Sequence, residues 1–172
     1  MTEPQIHKGL AGVYIDTSRV SKVFDETNTL TYHGYPVQDL AAQCRFEEVA
    51  WLLWHGELPT AAQLKELEEQ ERAQRGISDE LMTVIRQFRA DAHPMDTLRT
   101  AISFLGTNDP DWTDSSPAGL RKKALSMFAK IPTIIAADAR IRAGRDPIAP
   151  RADLLALMFQ RERAVVPLMQ GW

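Results

Sequence analysis

Histidines, a cysteine and aspartates are the side chains of this 172-residue sequence that could carry acid–base, nucleophilic or metal chemistry, and there are only four histidines and one cysteine. Histidine changes charge near neutral pH, so each is a candidate acid or base. His7 lies in the first few residues. His33 stands between Tyr32 and Gly34. His55 closes an apolar stretch, where a cation suits a helix C-terminus. His93 precedes Pro94, with Asp96 three residues on. That last pair reads either as an acid–base couple or as a cap at a helix start, and the following proline favours the cap. The positions 7, 33, 55 and 93 do not give zinc-ligand spacing. Gly9 and Gly12 are not followed by Gly-Lys-Ser/Thr, so they form no phosphate loop. A Ser-His-Asp triad finds no nucleophile-elbow phrase. Arg121-Lys122-Lys123 is the densest basic cluster, and it reads as a solvated helix face. Trp51 and Trp54 read as core residues. Trp112 falls in the acidic stretch 108–114, is expected to be exposed, and has no assigned role.

Composition narrows the classes. The chain is 44% hydrophobic and 25% charged, close to the globular average. A net charge of −3 gives no broad basic field for nucleic acid or anionic lipid. The single cysteine, Cys44, excludes an internal disulfide and suits a reducing compartment. The N-terminus lacks an apolar signal-peptide region. No apolar run approaches the ~20 residues of a membrane span. A cytoplasmic location, with no nucleic-acid or membrane partner, is the expectation.

The elements that would position these residues follow from pattern. Residues 1–40 read as short strands and turns: Leu30-Thr31-Tyr32 alternates, and Gly34 and Pro36 end the run. The rest reads as helices. Phe46, Val49, Ala50, Leu53 and Trp54 form one face at helical spacing, closed by Gly56. Thr60-Ala61-Ala62-Gln63 is a capping box. It opens a charged helix with Leu64 and Leu67 inward, ended by Gly76. Ser78 caps a helix with Leu81, Val84, Ile85 and Phe88 on its face. Pro94 starts another, with Met95, Leu98, Ile102 and Leu105 inward. Residues 107–116 form a loop. Pro117 begins a long helix to about Arg142, with a kink expected at Pro132. No internal repeat or low-complexity linker interrupts the pattern.

Five phrases occur in fixed order. They are Lys8-Gly9-Leu10-Ala11-Gly12-Val13 with Asp16-Thr17-Ser18, Leu30-Thr31-Tyr32-His33-Gly34-Tyr35-Pro36-Val37-Gln38-Asp39-Leu40, and Phe46-Glu47-Glu48-Val49-Ala50-Trp51-Leu52-Leu53-Trp54-His55-Gly56-Glu57-Leu58-Pro59-Thr60. His93-Pro94-Met95-Asp96 with Leu98-Arg99-Thr100-Ala101 comes next, then Ala129-Lys130-Ile131-Pro132. Each is weak alone. Together they resemble the N-terminal part of the citrate synthase family, and the opening is most similar to the bacterial 2-methylcitrate synthase branch. The resemblance covers residues 8 to about 152.

The resemblance implies a mainly α fold: part of the large domain of the citrate synthase fold, with a small N-terminal β element. It implies a division into residues 1–153, family-like, and residues 154–172, a divergent tail. Family members join acetyl-CoA or propionyl-CoA to oxaloacetate and need no further cofactor or metal. Their two catalytic histidines sit in Gly-Pro-Leu-His-Gly-Gly and Gly-His-Arg-Val-Tyr phrases, and their base is a later aspartate. None of these phrases occurs here, so no catalytic, cofactor-binding or metal residue is carried over. His33 replaces the arginine usual in the family, which weakens any charge contact made there. The chain is therefore expected to be truncated before the catalytic half and inactive by itself. The alternatives are a non-catalytic dimerisation partner of a full-length synthase and a decayed remnant. Partnership, with itself or a homologue, is expected through the helices starting at Pro94 and Pro117.

Overall fold

The computed structural model describes Gly9, Gly12, Val13 and residues 16–150. His7, most of the opening phrase and the 154–172 tail lie outside the described residues. Among those described there are three strands and six helices, the mainly α composition expected. They group into two compact units that part between Leu64 and Lys65.

The first unit begins with an antiparallel sheet of β1 (Ser21–Phe24), β2 (Thr29–Tyr32) and β3 (Tyr35–Pro36), in that order. Register runs from Ser21 opposite Tyr32 to Phe24 opposite Thr29, and Tyr32 faces Tyr35 across the second hairpin. Only His33 and Gly34 join β2 to β3. Their φ angles are 47° and 91°, both left-handed, as a two-residue hairpin turn of matching twist requires. Glycine takes that conformation freely, and histidine is among the residues that tolerate it. Helix α1 (Val37–Gln43) starts directly after Pro36, packs on β2 and β3, and buries Leu40. Its seven residues carry one enclosed side chain, too little periodicity for the sequence to announce it. Helix α2 (Phe46–His55) is closed by Gly56 at φ 87°, whose N–H donates to the Leu52 carbonyl at 2.7 Å.

The buried face of α2 differs from expectation. Leu52 is fully enclosed beside Ala50, and Phe46 is 75% exposed. Six successive apolar residues from Val49 to Trp54 leave the stripe underdetermined by pattern alone.

Helix α3 (Ala61–Gln74) carries the predicted capping box: the Thr60 N–H donates to Gln63 Oε1 at 2.8 Å, and the Gln63 N–H to Thr60 Oγ1 at 3.4 Å. In the second unit this helix buries Leu67 and, one turn on, Glu71. Glu71 is tolerated there because Arg75 holds both carboxylate oxygens, at 2.6 and 2.7 Å, satisfying a charge that burial would otherwise penalise. Helix α4 (Asp79–Arg86) is capped by Ser78, which accepts from the Leu81 N–H at 3.2 Å. Helices α5 (Pro94–Thr107) and α6 (Pro117–Arg142) follow, each with proline in the first turn. Leu81, Ile85, Ala101 and Ile134 form the core between α4, α5 and α6, with Phe88, Leu98 and Leu105 packed around it. Met95, expected inward, is 48% exposed, and the enclosed α5 positions are Thr97 and Ala101. Thr97 is buried for a polar reason. Its hydroxyl accepts from Arg142 at 2.8 Å, and the same guanidinium donates to the Ala90 and Ala92 carbonyls and to Asp138 at 2.7 Å. Helix α6 runs unbroken through Pro132.

Candidate functional site

The residues singled out for chemistry do not converge. His33 is fixed in the β2–β3 turn, with its N–H on the Val20 carbonyl at 2.9 Å. Its Nε2 is buried without a hydrogen-bond partner among the described residues. His55 stacks on Trp51 with ring centroids 3.9 Å apart, a contact made possible by their four-residue spacing on α2. His93 caps α5: its Nδ1 accepts from the Met95 N–H at 3.2 Å. Asp96 instead pairs with Arg99 on the exposed face of α5. The capping reading of His93 thus describes its geometry, and no acid–base couple with Asp96 is formed. Cys44 sits at the end of α1, where burial and the neighbouring Glu48 charge push its thiol pKa up, away from the thiolate needed for nucleophilic work. Among the described residues, no cluster of three or more His, Cys, Asp or Glu side chains could hold a metal ion.

The basic cluster at the start of α6 does more than face solvent. Lys123 Nζ donates to the Trp112 carbonyl at 3.0 Å and the Asp114 carbonyl at 2.7 Å, and Lys122 pairs with Asp111. Hydrogen bonding to Asp111, with its charge close by, raises the Lys122 pKa. Asp114 accepts from the Ser116 N–H at 2.9 Å, and contacts with Ser116 lower its pKa. Ser116 in turn caps α6 by accepting from the Gly119 N–H at 3.1 Å. An added Cβ at Gly119 would meet the Asp114 carboxylate, which would have to swing away. Nothing in the local pattern announces this knot: its lysines reach partners nine to eleven residues back, outside the three- and four-residue spacings of a helix.

The knot forms one wall of a groove of about 510 Å³ between α5, the 107–111 turn and α6. Ile102, Leu105 and Met127 line it with apolar surface, and Lys130 and Ser126 supply a polar edge. Lys130 donates to Ser126 Oγ at 2.7 Å and is half-buried, and desolvation lowers its pKa. The groove is of a size that binds small ligands or protruding side chains. Its lining holds no histidine, cysteine or glutamate.

The whole arrangement is similar to known proteins. The sequence model described as "Citrate synthase, C-terminal domain" matches residues 9–165. The chain is 53% identical over 151 residues to the 2-methylcitrate synthase of Mycobacterium tuberculosis, covering 88% of this chain and 38% of that protein. It is equally 53% identical over 151 residues to the citrate synthase of Mycolicibacterium smegmatis, covering 88% and 40%. The crystal structure of citrate synthase from Thermotoga maritima superimposes with a TM-score of 0.79 at 31% identity, covering 92% of this chain and 42% of that one. The chain spans about two fifths of the length of the relatives it matches. Among the described residues, no helix is long and apolar enough to cross a membrane.

Proposed function

The chain belongs to the citrate synthase family, and on that premise we propose that its 172 residues are a large-domain portion of a citrate or 2-methylcitrate synthase fold, without condensing activity of their own. The carrying observation is the combination of 53% identity over 151 residues with a sequence that holds neither of the family's histidine phrases. In the family reaction a carboxylate takes a proton from the acyl-CoA carbon beside the thioester. One histidine stabilises the enol, and another polarises the oxaloacetate carbonyl. That is acid–base work combined with stabilisation of developing charge. His33, His55 and His93 are each engaged in a turn, a stack or a cap, so we assign them none of these roles. Equal identity to a citrate synthase and a 2-methylcitrate synthase leaves acetyl-CoA and propionyl-CoA on the same footing as substrates of the parent reaction.

The role we assign to the chain is pairing. Helices α5 and α6, from Pro94 and Pro117, present the face through which it associates with a second copy or with a full-length homologue, in the cytoplasm. Met95, Leu120 and Met127 are left exposed on these helices, apolar surface that association would bury.

The purified chain should release no CoA from acetyl-CoA or propionyl-CoA with oxaloacetate above a protein-free blank. Losing catalytic groups that act together typically costs several orders of magnitude in rate. Turnover that survives repurification overturns the reading of a non-condensing chain.

A further inference from the structure

Lys130 stands apart from the other described lysines. Lys22 lies over the Phe24 ring, Lys65 pairs with Glu69, Lys122 pairs with Asp111, and Lys123 is tied to two backbone carbonyls. Lys130 meets a neutral partner, Ser126 Oγ at 2.7 Å, and no carboxylate among the described residues. It is half-buried at the edge of the groove of about 510 Å³, whose lining includes Ile102, Leu105 and Met127. Loss of water with no compensating anion favours the neutral amine. The Lys130 pKa is accordingly lowered by desolvation, whereas that of Lys122 is raised by Asp111. A neutral amine carries the lone pair that an ammonium lacks, and desolvation beside apolar surface is one way a lysine becomes a nucleophile toward carbonyls. Donation of one N–H to Ser126 holds the nitrogen in place and leaves that lone pair free.

We propose that Lys130 is a carbonyl-capturing amine and that its groove takes an aldehyde with an apolar body. The Nζ lone pair attacks the aldehyde carbon, forming a C–N bond as the C=O π pair moves to oxygen. That oxygen takes up a proton and nitrogen gives one up, which yields a carbinolamine. Its hydroxyl then leaves with the remaining N–H proton as water, and an imine is left at Nζ. Nothing is oxidised or reduced, and no co-reactant is needed. The walls select the class of ligand. Asp109 and Asp111 line the same groove, so an anionic ligand would be opposed from that side, whereas an aldehyde is uncharged. Its apolar body leaves water for the surface of Ile102, Leu105 and Met127. The inference does not rest on the pairing reading. A partner on the α5–α6 face would cover Met127 and Lys130 beside it, so capture belongs to the single copy.

Reductive labelling of the full chain at high dilution tests this. Hexanal or formaldehyde is supplied in small amount, with cyanoborohydride to reduce each imine to a stable amine. Peptide mapping by mass spectrometry then reads the tag at Lys65, Lys122, Lys123 and Lys130. With hexanal near neutral pH, Lys130 should be tagged about threefold faster than Lys65 or more, from its larger neutral fraction and the hold of the groove on the alkyl chain. Its labelling should also reach a plateau at lower pH than that of Lys65. Formaldehyde has no apolar body and should give Lys130 a smaller lead. Unfolding in guanidinium should level the lysines. If hexanal tags Lys130 no faster than Lys65, or if the lead persists in guanidinium, the inference falls. An equal lead with both aldehydes would mean a reactive amine without a groove-held ligand, and overturns it as well.

Discussion

At the scale of residues, the chain's polar side chains are spent on holding backbone in place. Asp114 shows the pattern. It accepts from the Ser116 N–H and packs over Gly119, while Lys123 ties its carbonyl to α6. Hydrogen bonds from the Ser116 side chain and backbone lower its pKa below the ordinary aspartate value of 3.8, with Lys123 and Lys122 adding attraction. A carboxyl whose folded pKa is depressed stabilises the folded turn above its unfolded value and loses that contribution as pH falls through the folded value. The window for losing the turn is therefore below pH 3.8. Following the Ser116 amide by NMR from pH 6 downward should show a transition centred below 3.8. Asp114→Asn, whose side-chain carbonyl can still accept, should flatten it. A midpoint at or above 3.8 in the wild type would contradict the assignment.

At the scale of elements, stability is concentrated where α4, α5 and α6 meet. Leu81 and Ile85 are fully enclosed there, with Ala101 and Ile134, whereas Leu120 on α6 is 54% exposed. Leu81→Ala should cost about 2–5 kcal/mol from lost burial and the cavity left behind. Leu120→Ala should change stability by no more than about 0.5 kcal/mol, as surface changes do. Urea unfolding of the two variants beside wild type measures both, and equal costs would displace the core from where it is drawn. Much of this layout is legible in the chain. Ser78, Pro94, Pro117 and Gly56 mark helix ends because each satisfies or tolerates a terminal backbone geometry locally. Leu81 and Ile85 sit on one α4 face because four-residue spacing puts them there. What depends on long-range partners is not legible. Thr97 is buried, and Met95 is not, because Arg142 reaches from the far end of α6 to Thr97 and to the carbonyls before α5. The groove escapes sequence reading for the same reason: its wall is built by lysines bonding backward across nine to eleven residues to a turn of aspartates. His93 is legible as a cap and His55 as a helix-end residue, since each such role is set by immediate neighbours; the hairpin-turn role of His33 emerges only in the structure.

At the scale of the whole molecule, the question is what the α5–α6 face meets. Relatives more than twice as long share this portion at 53% identity, and if they pair through the α5–α6 face proposed above, this chain should be able to take the place of one copy in a pair. A two-fold interface uses the same patch on both sides, so a mixed dimer needs no new contacts. We expect the chain, co-expressed with a tagged full-length 2-methylcitrate or citrate synthase, to be retained with it on an affinity column. One side of the mixed pair would lack the histidine phrases, so activity per full-length chain should stay level or fall. Ile102 is half-buried in the wall of the groove, and Ile102→Glu would place a carboxylate there on pairing. An unpaired charge taken out of water costs several kcal/mol, enough to reduce retention a hundredfold or more, since each 1.4 kcal/mol is about tenfold in affinity. If the wild-type chain is not retained, or Ile102→Glu is retained as well as wild type, the α5–α6 face is not where this chain finds its partner.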